Sequence, residues 1–165
     1  MKGYKAMKKR ITFVCTGNTC RSPMAEAFFN HMLNEREELK ASFEGASAGV
    51  YAFEGDPASQ EARAVMEQEF GISLKSHRAR VLDIQDIRGS WLILTMTRHH
   101  KEMILDIYPE GADKVFTLKE YAQGENADII DPFGFGEEVY KDCSYDIEAC
   151  ILDLFEKLKT QDISF

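Results

Sequence analysis

Eight consecutive residues, Cys15-Thr16-Gly17-Asn18-Thr19-Cys20-Arg21-Ser22, carry groups that together suit phosphate chemistry. The spacing is Cys-x5-Arg-Ser, after an apolar run and before Pro23 and a helical pattern. A loop running from a strand end to a helix N-terminus can wrap its backbone N–H groups around one tetrahedral anion, and the helix dipole adds to the attraction. Gly17 lets the backbone turn closely. Arg21 can hold two phosphate oxygens at once, which a lysine could not do. The same positive field favours a thiolate at a cysteine beside the anion, which makes Cys15 a nucleophile. Ser22 is placed to hydrogen-bond that sulfur or to relieve it as a leaving group. The competing reading is a buried cysteine at a strand end followed by an ordinary capped helix. A bare Cys-x5-Arg arises by chance. The strand before the loop, Gly17 inside it and Ser22-Pro23 after it favour phosphate binding by the whole segment.

Transfer of a phosphoryl group to sulfur needs an acid for the leaving group and then a base to activate water. Asp131 is the candidate for both. It precedes Pro132, which keeps it out of helical geometry. It also lies in a polar stretch of about twenty residues, Leu118 to Glu137, read here as a loop without regular structure, and long loops of that kind are often functional. Taken alone, Asp-Pro is only a turn.

The elements that must position these groups alternate between short apolar runs and helical patterns. Ile11 to Cys15 reads as a buried strand, Phe43 to Ser47 as a second, Trp91 to Thr95 as a third and Lys114 to Thr117 as a fourth. Ser22 has the character of a helix N-cap with Pro23 at the first helical position, and Met24, Ala25, Phe28, Phe29, Met32 and Leu33 follow at helical spacing. Asp56-Pro57 opens another helix, with Ala58, Ala62, Val65 and Met66 on one face and Gly71 closing it. A helix spans Arg98 to Ile107, and Ile147, Cys150, Ile151, Leu154, Phe155 and Leu158 form the stripe of a last one. The pattern predicts an α/β fold, a single three-layer domain with a parallel sheet covered on both faces. Ligands of such sheets bind beyond the C-terminal strand ends, where the Cys15 loop lies.

The chain has 165 residues, 44% hydrophobic and 29% charged, enough for one compact domain. Residues 1–10 are basic and read as a solvated extension, with the domain over 11–165. No apolar run is long enough to cross a membrane, and the run after Arg10 is too short for a signal-peptide core. The expectation is a cytoplasmic, monomeric protein without a membrane partner. A net charge of −8 argues against nucleic acid as a partner. The four cysteines and four histidines show no metal-ligand spacing, and the chemistry requires no cofactor.

Val14-Cys-Thr-Gly-Asn-Thr-Cys-Arg-Ser-Pro-Met-Ala-Glu26 resembles the N-terminal signature of the low-molecular-weight protein tyrosine phosphatase family. Ser47-Ala-Gly49, Ser76-His-Arg-Ala79 and Asp131-Pro-Phe133 fall in the family's order and at about its spacing. The resemblance covers nearly the whole chain after residue 10. It implies a four-stranded parallel sheet, phosphorylated protein substrates and a cysteinyl-phosphate formed at Cys15 and then hydrolysed. It further implies that Asn18, Ser47 and His77 support the strained loop through hydrogen bonds; the plainer readings are a turn asparagine, a strand-end serine and a surface histidine. Cys20 matches a second loop cysteine that can protect the nucleophile from irreversible oxidation, or it is a small residue filling the loop. His99 and His100 fall at a helix start near the site's rim, and no role is assigned to them.

Tyrosine phosphatases of the family carry a bulky aliphatic residue where this chain has Thr19. The bacterial protein arginine phosphatases carry threonine there, and they are similar to this chain in Asp131-Pro-Phe-Gly134 and Thr117-Leu-Lys-Glu-Tyr121. Thr19 offers room and a hydroxyl suited to a planar guanidine, Asp131 could pair with it, and Phe133 could wall the pocket. Phosphoarginine is therefore favoured over phosphotyrosine. Tyr51 and Phe53 lie in the right region for further pocket aromatics, with orientations the sequence does not reveal.

Two rivals come from other classes. An arsenate reductase would share the fold and a similar loop but needs two further cysteines to relay a disulfide. Cys143 and Cys150, seven apart on the last helix, would sit roughly 10 Å from each other, beyond disulfide reach. Core packing accounts for them better. A non-catalytic phosphate-binding module would keep Arg21 and the loop but could discard Cys15 or Asp131, and both are present.

Overall fold

The computed structural model describes residues 7–162. Four strands, β1 (Lys9–Cys15), β2 (Phe43–Gly49), β3 (Leu92–Thr95) and β4 (Val115–Thr117), form one sheet in the order β2-β1-β3-β4, all neighbours parallel. Helices α1 (Arg21–Leu33) and α2 (Glu37–Ser42) connect β1 to β2. Helices α3 (Gln60–Phe70) and α4 (Ile84–Gly89) lie between β2 and β3, and α5 (Arg98–Ile107) between β3 and β4. Helices α6 (Leu118–Gln123) and α7 (Glu137–Asp162) complete the chain. The expected α/β architecture with a four-stranded parallel sheet is what the chain adopts.

Strand periodicity divides the core in two. Ile11, Phe13 and Cys15 of β1 pack with α1, α3 and α7 on one face, where Phe29 stacks on Phe155 at 4.9 Å between ring centroids. Val14 and Ile93 face the other way, onto Ile87 of α4 and Ile104 of α5. Cys15 therefore leaves the sheet on the α1 and α7 side. From β1 the chain crosses to β2 on one side, and from β2 back across to β3 on the other. The strand order thus switches beside β1, which opens a crevice at the C-terminal ends of β1 and β3. Among the described residues no helix is long and apolar enough to cross a membrane.

Several boundaries differ from the sequence reading. β1 begins at Lys9, so Lys9 and Arg10 belong to the sheet rather than to the extension expected over 1–10, whose residues 1–6 lie outside the described residues. Arg10 pairs with Glu44 on β2, and the Lys9 ammonium lies 5.1 Å from the Trp91 ring centroid, which draws this basic end into the sheet. Helix α3 opens at Gln60 with Ser59 as N-cap, not at Asp56-Pro57, because the Asp56 carbonyl accepts from Ala79 N–H and the Ser59 N–H donates to Thr19. The stretch from Leu118 to Glu137 is not wholly irregular. α6 occupies its first six residues, started by a Thr117–Glu120 capping box and stopped by Gly124 at φ 69°. The irregular part runs from 124 to 136 and holds Asp131.

Candidate active site

The loop after β1 turns inside out relative to an ordinary connection. Its carbonyls are claimed from outside: Cys15 O accepts from Val50 N–H at 3.0 Å, Thr16 O from Tyr51 N–H at 2.9 Å and Thr19 O from Ser59 N–H at 2.8 Å. The Asn18 carbonyl lies 2.7 Å from His77 Nε2. In a trans peptide the C=O and the next N–H point in opposite directions. Carbonyls held outward therefore turn the following N–H groups toward the loop's interior, the concavity that suits an anion. Gly49 makes this possible. A Cβ there would lie 2.5 Å from Thr16 O and 2.9 Å from Asn18 N, so no larger residue fits beside the loop.

Asn18 holds the tightest bend, at φ 56°, where a non-glycine residue is strained. Its fully buried side chain offsets the strain with three hydrogen bonds. Nδ2 donates to Ser22 Oγ at 2.8 Å and to Ser47 Oγ at 2.9 Å, and Oδ1 accepts from Arg80 N–H at 3.1 Å. Ser47 in turn donates to Glu26 Oε1 at 2.7 Å. The Ser22 oxygen already accepts from Asn18, so its own hydrogen is free for Cys15 Sγ, 2.9 Å away and closer than Ala48 O at 3.5 Å. A chain of hydrogen bonds thus links the Glu26 carboxylate to the cysteine sulfur, with donation running outward from Asn18 in both directions. Ser22 does not cap α1, as the sequence suggested. The helix starts two residues earlier than Pro23, at Arg21, and the hydroxyl is spent on sulfur instead.

Arg21 is 4% exposed, and its guanidinium donates to Ile129 O at 2.9 Å. That carbonyl belongs to the 124–136 loop, so the same arginine joins the loop after β1 to the one carrying Asp131. Two further bonds fix the second loop to the end of β3: Ile129 N–H to Met96 O at 2.9 Å and Arg98 N–H to Asp128 Oδ1 at 2.8 Å. Asp131 lies at the mouth, its Oδ1 accepting from Phe133 N–H at 3.1 Å. Cys15, Thr16, Gly17, Thr19, Cys20, Arg21, Asp131 and Phe133 line one cavity of about 240 Å³. Phe133 is 73% exposed and forms a rim wall; Tyr51 and Phe53 are exposed and stand outside this lining.

Cys20 carries a free thiol, buried against other partners: its sulfur lies 3.3 Å from Tyr140 Oη and 3.4 Å from Ser59 Oγ. Burial pushes the Tyr140 hydroxyl well above the ordinary tyrosine range. Sequence reasoning missed Glu26 and left His100 without a role. Glu26 sits one turn after Ser22, a spacing that puts both on one helix face and could have exposed it. No local signal marks His100, whose ring reaches Thr16 from a different element.

The model of the low molecular weight phosphotyrosine protein phosphatase family matches residues 10–163. The chain belongs to that family. It is therefore a cysteine-dependent protein phosphatase, a hydrolase. A protein-arginine-phosphatase from Geobacillus stearothermophilus is 44% identical over 155 residues, covering 94% of this chain and 99% of that protein. The low molecular weight protein-tyrosine-phosphatase PtpB of Staphylococcus epidermidis is 37% identical over 150 residues, 91% of this chain and 96% of its own. The solved structure of the YwlE arginine phosphatase from Geobacillus stearothermophilus superposes with a TM-score of 0.85 at 44% identity, over 94% of this chain and 96% of that one. A YwlE cysteine-to-serine mutant, solved with its active-site serine phosphorylated, superposes with the same TM-score at 39% identity, over 91% of this chain and 95% of its own.

Proposed function

We propose that this phosphatase hydrolyses phosphoarginine on proteins, with Cys15 as nucleophile, Arg21 as phosphate clamp and Asp131 as acid and then base. The Cys15 sulfur attacks phosphorus while the P–N bond breaks. Asp131 gives its proton to the departing guanidine nitrogen, so arginine leaves as its stable cation. The phosphoryl group rests on sulfur, its oxygens held by loop N–H groups and Arg21. Asp131, now a carboxylate, takes a proton from water as the water oxygen attacks phosphorus. The S–P bond breaks, and Ser22 steadies the sulfur as it regains its electron pair. The phosphorylated serine of the YwlE mutant supports such a covalent intermediate.

Thr19 in the cavity lining carries the choice of substrate. It leaves room and one hydroxyl where a bulky aliphatic side chain would grip a phenol ring, and the arginine phosphatase relatives support the same reading. Phosphotyrosine is the second reading, favoured by the tyrosine phosphatase relatives. Turnover on matched phosphoarginine and phosphotyrosine peptides decides between them. The wild type should prefer phosphoarginine, and Thr19→Ile should gain phosphotyrosine turnover relative to it. An unchanged preference in that variant would count against the assignment.

A further inference from the structure

His100 lies in the first turn of α5, 3% exposed, and both ring nitrogens are engaged. Nε2 is 2.9 Å from Thr16 Oγ1, and Nδ1 is 3.0 Å from Thr97 Oγ1. A buried ring with two committed nitrogens, joined to the residue that follows the nucleophile, does more than fill space. Burial first, and the neighbouring Arg21 second, bring its pKa down to about 4, so the ring is neutral at working pH. A neutral imidazole has one donor and one acceptor.

The surrounding bonds favour one assignment of the two nitrogens. Thr97 Oγ1 accepts from the backbone N–H of His100 at 3.2 Å. Its hydroxyl hydrogen is then available for Nδ1, and with Nδ1 as the acceptor the ring hydrogen sits on Nε2. That hydrogen points at Thr16 Oγ1. With the Thr16 oxygen already accepting, its own hydrogen is left to donate elsewhere, and Thr16, itself exposed, is one of the residues that line the cavity. The Thr16 carbonyl is fixed separately by Tyr51 N–H, so backbone and side chain of this residue are held by different elements.

We propose that His100 is a positioning residue which holds the Thr16 hydroxyl as a hydrogen-bond donor aimed at the phosphoryl group in the cavity. The segment from Met96 to His100 then serves both halves of the site. It carries Thr16 through the imidazole and anchors the Asp131 loop through Met96 O and Arg98 N–H. The proposal rests on the phosphatase reading but is independent of whether the substrate is phosphoarginine or phosphotyrosine.

Steady-state kinetics of Thr16→Val, His100→Leu, His100→Gln and the Thr16→Val/His100→Leu pair, on a phosphoarginine peptide and on an aryl phosphate, test it. Thr16→Val and His100→Leu should each lower kcat/KM by roughly tenfold, the scale of one lost hydrogen bond at a reacting centre, and the pair should lose no more than either alone. The Gln amide nitrogen can reach the Nε2 position and should restore most of the activity. Multiplying losses in the pair, unimpaired Thr16→Val or a His100→Gln as poor as His100→Leu would each overturn the proposal. Should His100→Leu fail to fold, Thr16→Val and His100→Gln still decide it. A wild-type chain inert toward both substrates would remove the phosphatase reading itself, a result distinct from any of these.

Discussion

Arg21 Nη2 lies 3.7 Å from Asp131 Oδ2, although 110 residues separate the two in the chain. The arginine is buried and the aspartate is half exposed at the cavity mouth, so the pair spans the pocket from floor to rim. In the proposed mechanism, a phosphoryl group bound by Arg21 presents its leaving group to Asp131. Asp131→Asn should lower kcat/KM, which reads only the first, acid-assisted transfer, by about 100-fold or more on a phosphoarginine peptide, in line with a lost general acid. The loss should be much smaller on an aryl phosphate whose phenol leaves without protonation. Equal losses on both substrates would make Asp131 a positioning group rather than the acid.

Asn18 combines a left-handed backbone with three side-chain hydrogen bonds, all within a fully buried site. Asn18→Ala removes the bonds and keeps the strain, so urea unfolding should report a loss of about 2–4 kcal/mol. Asn18→Gly relieves the backbone and should recover part of that stability. It leaves Ser22 and Ser47 unheld, so its kcat should remain low. Full activity in the glycine variant would show that only the backbone bend matters.

His100 also sets a pH dependence of stability. Its folded pKa of about 4 lies below the ordinary histidine value, because burial and Arg21 disfavour the cation while Asp128 and Asp131 only partly offset them. Between about pH 6.5 and 4 the unfolded chain binds a proton that the folded chain does not, so this contribution is present above that window and is lost as pH falls through it. The slope should cost about 2 kcal/mol between pH 7 and 5. His100→Gln has no such group, and its unfolding free energy should change correspondingly less over the same interval. Parallel curves for the two proteins would contradict a neutral buried ring.

Cys143 and Cys150 are both buried on α7, and burial pushes each thiol up to about 12. Neither is a ready nucleophile for a disulfide relay. The double variant Cys143→Ala/Cys150→Ala should keep phosphatase turnover within about twofold while losing roughly 1–2 kcal/mol per site to lost packing. Turnover that collapses without a matching fall in stability would return these cysteines to the chemistry.

The parts of the site visible in the sequence are those written within one contiguous stretch. Strand, loop and helix follow each other from Lys9 to Leu33, so the apolar run, Gly17 and the Cys-x5-Arg spacing lie in one window. The alternation of apolar runs and helical stripes likewise marks the parallel sheet, because each of those elements is long enough to display its period. The six-residue helices α2, α4 and α6 are too short to do so, and α6 was hidden inside what read as loop.

What the tertiary structure alone decided is which partners each polar group meets. Ser22 has the sequence signature of a helix cap, yet it serves the cysteine sulfur because Asn18 and Ser47, brought in from the loop and β2, orient its oxygen. His100 carries no local mark at all. Its task arises only when β3 pairs with β1 and delivers the start of α5 to Thr16, 84 residues away in the chain. Local spacing determines chain direction and residue type; a hydrogen bond also requires a second group at about 3 Å, and distant segments acquire that separation only by packing.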